Sequence, residues 1–429
     1  MSAGCVHVVG AGVAGLSAAV RLAEQGERVV LHEAAKAAGG RCRSYHDTTL
    51  GLTIDNGNHL LLAGNRAAMA YLRLVGGLGA LEDPDEAVFD FADLASGERW
   101  QLRPNAGRLP WWIFVASRRV PGTTFRDYLA PLSIMRAKTG QTIGEVMRCE
   151  GALWRRLWQP VLLAALNTEP EISAASLAAP VLRETLGAGG RACRPLVATG
   201  GLSAAFVDPA LTYLAQHGGQ LRLGTRLRAL ETAEDRVQAL HFAEGDVVVG
   251  PDDAVILAVP PPVASGLLPG LTIPGEFRGI LNAHFRIAPP AGQPLLLGLV
   301  GGTSEWLFAY PDRLSVTISA GDRFFDDSRE SLAERIWREV AAVTGLDPGA
   351  LPPWQIVKER RATFAATPEE TARRPPCATA YRNLALAGDW VDTGLPATIE
   401  GAIRSGEAAV HMLQRGDSRA MRSVSRVCL

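Results

Sequence analysis

Lysine is nearly absent from this 429-residue chain. Only Lys36, Lys138 and Lys358 occur, so arginine carries almost all of the 43 basic charges. Neither sign dominates: 44 acidic residues bring the formal net charge to −1, which removes the electrostatic case for a nucleic-acid partner. The cysteines (Cys5, Cys42, Cys149, Cys193, Cys377, Cys428) form no CxxC pair and no metal-like spacing with histidine, so a reduced, cytoplasmic setting is expected and no metal site. No stretch approaches the roughly 18 unbroken apolar residues that span a bilayer. The apolar N-terminus lacks a basic leader, and its glycines stand at fixed spacing, unlike a signal peptide. The chain is expected to be soluble, or to lie peripherally on the inner face of the cytoplasmic membrane.

Apolar material is plentiful. Hydrophobic residues make up 47% of the chain, enough for a large interior, and the length suggests two substructures. Val6–Val9 reads as a buried strand, Gly10–Gly15 as a turn, Leu16–Gln25 as a helix stopped by Gly26, and 28–32 as a second strand. This βαβ opening encloses Gly10-x-Gly12-x-x-Gly15, with Glu33 following the second strand. Gly10 permits the tight turn, Gly12 lets backbone approach a pyrophosphate, and Gly15 lets helix and strand pack closely. The helix start at Val13 and Ala14 then faces the phosphate charge, and Glu33 can accept hydrogen bonds from a ribose. Together these features predict a Rossmann-type dinucleotide site.

Three further stretches carry the same theme. Gly39-Gly40-Arg41 offers close backbone approach and a guanidinium fork for phosphate. Asp55-Asn56-Gly57-Asn58-His59 is a polar knot between apolar runs. It either lays backbone against a flat ring or closes a tight hairpin on its own Asp and Asn, and periodicity alone favours the hairpin. The apolar strand 384–387 ends in Gly388-Asp389, and Pro396 precedes a helix over 398–413. A carboxylate at that strand end can hold a ribityl hydroxyl, and the helix N-terminus can stabilise a reduced flavin. Between these stretches, residues 76–195 are rich in Arg, Pro and Trp (Trp100, Trp111, Trp112, Trp154, Trp158), and 276–380 alternate strands with a helix over 331–344.

With these motifs the chain resembles the flavin amine oxidase/phytoene desaturase superfamily. The Asp55–Leu62 segment, Trp154-x-x-x-Trp158-x-Pro160, Ala164–Thr168 and Lys358–Phe364 narrow the resemblance to its hydroxysqualene dehydroxylase branch. The resemblance implies an α/β protein with an α+β insert. An FAD-binding domain would assemble from 1–75, 196–275 and 381–416, with a sheet-plus-helices substrate domain inserted as 76–195 and 276–380 and a basic tail over 417–429. Position by position, it implies that Gly10, Gly12, Val13, Ala14, Gly15, Glu33, Gly40 and Arg41 hold the ADP half. Leu227 would back the adenine, Gly57, Asn58 and His59 would lie at the flavin, and Gly388, Asp389, Thr398 and Ile399 would hold the ribityl chain and pyrimidine edge. The implied substrate is a lipophilic polyisoprenoid whose allylic hydroxyl is replaced by hydride, with His59 as proton donor and Asn56 and Asn167 orienting it. Trp154, Trp158, Trp306 and Phe308 are candidates to line the substrate tunnel. The electron donor is left open.

Other readings share part of this pattern. A carotenoid-type desaturase has the same cofactor, a flavin amine oxidase would need a lysine at the flavin (here Lys358), and a non-catalytic FAD protein would need neither. The run Leu109–Val115 with Arg118-Arg119, assisted by Arg415, Arg419, Arg422 and Arg426, reads either as an interfacial membrane patch or as a buried helix beside solvated charges.

Overall fold

The computed structural model describes the backbone of residues 4–424 and side chains as far as residue 414. The side chains of Arg415, Arg419, Arg422 and Arg426 therefore lie outside the described residues.

A five-stranded, wholly parallel sheet organises the first half of the molecule. Its order is Gln220–Leu223, Arg28–Glu33, Cys5–Val9, Ala254–Leu257, Leu384–Leu386. Only Cys5–Val9 and Arg28–Glu33 are near neighbours in sequence; the other touching strands come from remote segments, so the sheet closes only when the N-terminal, middle and C-terminal segments meet. Parallel strands are covered on both faces, which is why Ala254–Leu257 and Leu384–Leu386 read as unbroken Val, Ile, Leu and Ala. Val8 and Ile256 pack with the helices Val13–Glu24 and Ile399–Val424, whereas Val9, Val255 and Leu257 pack on the opposite side with Phe242 of the meander Leu227–Ala233, Arg236–Phe242, Gly245–Val248.

A second sheet of seven strands runs Trp354–Phe364, Phe277–Phe285, Arg313–Ile318, Trp306–Tyr310, Leu296–Val300, Phe89–Asp93, Arg99–Leu102. All neighbours are antiparallel except Leu296–Val300 beside Phe89–Asp93. Alternation divides its faces. Leu307 and Ala92 join the core under the helix Arg329–Thr344, while Phe91, Trp306, Phe308 and Tyr310 join an aromatic cluster containing Trp112, Tyr128, Trp154 and Trp158.

Several sequence expectations shift. After Gly201 the chain forms a π-helical turn, Ser203–Val207, and then the α-helix Asp208–Gln216, which has Pro209 in its first turn. The last helix passes the expected end at Leu413 and continues to Val424. The hairpin reading of the polar knot is wrong: Leu52–Asp55 pairs back with Ser44–Asp47, and Leu60–Leu62 pairs with the distant Pro195–Ala198. Asp55 is not a turn residue either. Its Oδ1 accepts from the Ser44 hydroxyl (2.6 Å) and the Leu202 amide (2.8 Å), fastening the knot to the 200s segment. Leu109–Val115 is no buried helix; it forms short 3-10 turns over Trp111–Phe114 and Ala116–Arg118.

Candidate functional site

At the C-terminal edge of the parallel sheet the separated motifs meet. Gly10 has φ +107°, and its amide donates to His32 O at 2.7 Å, turning the chain sharply out of the strand. A Cβ built at Gly15 would lie 1.9 Å from Gly10 O, so the helix can pack here only as glycine. Gly12 differs: a Cβ there would meet nothing within 4 Å, so its backbone borders open space. The helix Val13–Glu24 starts with no side-chain cap and no acid in its first turn. The first-turn amides of Val13 and Ala14 are thus left for an anion from outside the chain.

Glu33 organises the corner. Its two carboxylate oxygens accept from the Ala11 and Ala35 amides at 2.8 Å each, and the Thr225 amide donates to its carbonyl, which brings the start of the Leu227 strand to the same place. Gly39 bridges Gly12, its amide donating to Ala11 O at 2.7 Å, and a Cβ on Gly40 would lie 3.3 Å from Gly12 Cα. Arg41 then reaches across to Asp389 Oδ1 at 2.7 Å and also donates to Ala362 O. The Asp389 carboxylate raises the guanidinium's pKa further.

Two helix N-termini point into this region. Ser17 bonds Ile403, Arg21 pairs Glu407, and Gln25 bonds Gln414, so Val13–Glu24 and Ile399–Val424 run parallel. One turn before the Ser17–Ile403 contact the two helices begin, at Val13 and Ile399. Thr398 caps the second helix by accepting from the Gly401 amide (3.0 Å). Glu400 faces away; its carboxylate accepts from the Ala67 and Ala68 amides at the start of the helix Arg66–Val75, so no acid opposes the positive helix end. Gly388 has φ +148°, and its amide donates to Ser405 Oγ at 2.8 Å.

The polar knot lies against the seven-stranded sheet. Asn58 donates to Thr317 Oγ1 (3.0 Å), accepts from the Tyr310 hydroxyl (3.2 Å), and gives its amide to Asn282 Oδ1 (3.4 Å), which also accepts from Thr317 Oγ1 (2.8 Å). Because a backbone N–H can only donate, the Asn282 oxygen is fixed towards Asn58 and its NH2 towards Gly57, where that buried nitrogen has no partner among the described residues. The Asn56 amide is held by Glu359 at 3.2 Å. His59 makes no hydrogen bond among the described residues; burial, and then the Arg41 charge, push its pKa down to about 4, so the ring is neutral near pH 7.

Asn167 is placed otherwise than expected. It ends the helix Gln159–Leu166 with φ +48°, donates to Thr363 Oγ1 and Arg278 O, and accepts from the Ala320 amide. Both amide protons are committed to tying helix to sheet, so it does not orient His59. Lys358 is also committed: its Nζ donates to the carbonyls of Phe324, Phe325 and Asp327.

Sequence reasoning missed two groups. Asn282 and His284 are polar yet buried at alternate positions of one apolar strand, a signal that could have been read. Arg374 carried no signal. It is buried, and its guanidinium donates to the carbonyls of Asp389, Trp390, Val391 and Leu395, clasping the loop that carries Asp389.

Known proteins resemble this chain over nearly its whole length. Two curated relatives named hydroxysqualene dehydroxylase match 95% of the chain each: one from Rhodopseudomonas palustris is 56% identical over 98% of its own length, and one from Sinorhizobium fredii is 53% identical over 97%. The solved structure of cyclohexylamine oxidase from Brevibacterium oxydans superposes with a TM-score of 0.69 at 17% identity, covering 96% of this chain and 99% of that one. The model of flavin-containing amine oxidoreductases matches residues 13–413. The chain belongs to that family of flavin-dependent oxidoreductases.

Proposed function

We propose that the chain binds FAD and reduces hydroxysqualene to squalene. The convergence of Gly12, Arg41, Asp389 and two uncapped-by-acid helix ends on one corner carries the cofactor assignment. The extent of identity to hydroxysqualene dehydroxylases carries the substrate. In the reaction an allylic C–O bond breaks, a C–H bond forms at the same carbon, and the oxygen leaves as water with one added proton. The hydride would come from reduced FAD when it is bound.

The chain's own residues have separate tasks. The Val13 and Ala14 amides with Arg41 hold the pyrophosphate, Glu33 the ribose, and Asp389 a ribityl hydroxyl. The helix end at Thr398 and Ile399 stabilises negative charge on the ring system. Gly57 and Asn58 lay backbone beside it, Leu227 backs the adenine, and His59 in its neutral form donates a hydrogen bond to the departing oxygen. Trp154, Trp158, Trp306 and Phe308 belong to one buried aromatic cluster, suited to an extended polyisoprene and to allylic cation character. An amine oxidase reading is disfavoured because Lys358 spends its ammonium on three carbonyls.

The test uses purified, anaerobically photoreduced protein. Cofactor released by heat should chromatograph as FAD, and adding hydroxysqualene should reoxidise the flavin with stoichiometric squalene. Flavin that stays reduced, with no squalene, rejects the substrate; oxidation of a phytoene-like polyene instead would identify a carotenoid-type desaturase.

A further inference from the structure

An exposed apolar surface that the reaction does not use lies on the segment 103–138. Leu109 is 82% exposed, Phe114 64% and Trp111 50%, and a few residues on Phe125, Leu129 and Leu132 are exposed as well. The two halves form one patch, because the Phe114 and Phe125 rings lie 5.1 Å apart. Contiguous exposed aromatics of this kind mark a contact surface rather than chance exposure. A groove of about 410 Å³, lined by Asn105–Leu109 and Trp111, opens beside it.

Charge identifies the partner. Within 103–138 the sequence places six arginines and Lys138 against one carboxylate, Asp127, in a chain whose net charge is −1. Asp127 is itself occupied, accepting from the Thr124 amide and hydroxyl. Arg118 lies over the Trp111 ring at 4.9 Å and Arg126 over the Phe125 ring at 5.9 Å, so the cations surround the aromatics. Of the six arginines Arg103 faces a carboxylate, Glu86 at 3.9 Å, from outside the segment; aromatic rings flanked by an excess of arginine suit the boundary between acyl chains and anionic headgroups. The inner side of the same segment is rigidly anchored. Trp112 packs edge-on against Tyr128 (5.1 Å), and Tyr128 against Trp158 (6.4 Å), within the aromatic cluster.

We propose that this patch docks the protein on the surface of an anionic phospholipid bilayer, with Trp111 and Phe114 inserted among the acyl chains. The inference goes beyond the reaction: docking needs no substrate and is measured without it. Among the described residues no helix is long and apolar enough to cross a membrane, so the contact is peripheral.

Flotation of the full-length, flavin-loaded protein with phosphatidylcholine vesicles, with and without phosphatidylglycerol, tests it. The wild type should float with the phosphatidylglycerol vesicles, less so at high salt, and W111E/F114E should partition at least about tenfold more weakly. That variant should keep its melting temperature and its turnover of detergent-dispersed hydroxysqualene, which separates loss of docking from loss of fold or of the proposed activity. Wild type that ignores anionic vesicles, or a variant that floats equally well, overturns the proposal. So does a wild-type dimer, seen by light scattering, that the variant splits, because the patch would then be a self-association surface.

Discussion

Arg41 and Asp389 stand 348 positions apart in the chain, yet Arg41 Nη2 lies 2.7 Å from Asp389 Oδ1. The contact joins the second glycine pair to the end of the last sheet strand. Neither side chain could hold a cofactor alone in the right place, since Arg41 is half exposed and Asp389 sits on a loop. Arg374 supplies the rigidity by donating to four carbonyls of that loop.

Replacing Arg41 with Ala removes a charge-assisted phosphate contact and leaves Asp389 without its counter-charge. The FAD dissociation constant should rise about ten- to a hundredfold, measured by fluorescence titration of apoprotein, with little change in melting temperature. An unchanged dissociation constant would show that Arg41 serves only Asp389.

Arg374→Met attacks the same loop from beneath. Four buried carbonyls lose their donor, so the melting temperature should fall by several degrees and FAD affinity by about tenfold or more. Arg374→Lys, which keeps a donor and charge, should recover part of the affinity. Equal loss in both variants would mean that the planar fork, rather than charge, sets the loop.

The glycines separate fold from ligand. Gly15→Ala places a Cβ 1.9 Å from Gly10 O, so the variant should be poorly stable by thermal denaturation. Gly12→Val has open space and an ordinary φ of −71°, so it should fold with near-normal stability yet emerge colourless from purification. A yellow Gly12→Val protein would move the cofactor away from this loop.

Acid stability should be governed by buried imidazoles. Burial holds His32 and His284 at about 3, below the ordinary histidine value, so the unfolded chain binds their protons first as pH falls. Stability is therefore complete above about 6.5 and is lost between there and about 3, by up to about 1.4 kcal/mol per pH unit for each group. Urea denaturation of His284→Leu should show a shallower slope across that window. An identical slope would mean that water reaches His284.

What the sequence made legible follows a physical division. Gly10 and Gly15 were readable because backbone geometry demands glycine there, and Gly12 and Glu33 because they complete the same spacing. The polar knot was misread because Leu60–Leu62 takes its partner from Pro195–Ala198, and local alternation cannot reveal a partner as remote in sequence as Leu61 is from Leu196. Asn167 looked like a site residue because it falls in Ala164–Thr168, a stretch that carries the resemblance; its side-chain amide instead bonds Thr363 and Arg278 on remote strands and the Ala320 amide beyond another. Arg374 was invisible for the same reason, since all its acceptors belong to a loop that folding brings to it.

His59 gives the sharpest test of the proton's route. Burial and the Arg41 charge set its pKa at about 4, so a cationic His59 would be scarce at pH 7 and about tenfold scarcer with each further unit. Were the cation the acid, kcat would fall steadily as pH rises above about 4. A neutral N–H donor predicts instead a flat profile across neutral pH, with His59→Ala about tenfold slower throughout and His59→Gln partly restored. Arg41→Gln supplies the internal check: with one of the two causes removed, the ring's pKa should climb towards its ordinary value, visible by NMR titration. If activity then acquires an acid limb at that new pKa, the imidazolium is a competent acid that Arg41 normally suppresses, and the proton for the departing oxygen must otherwise reach it from elsewhere.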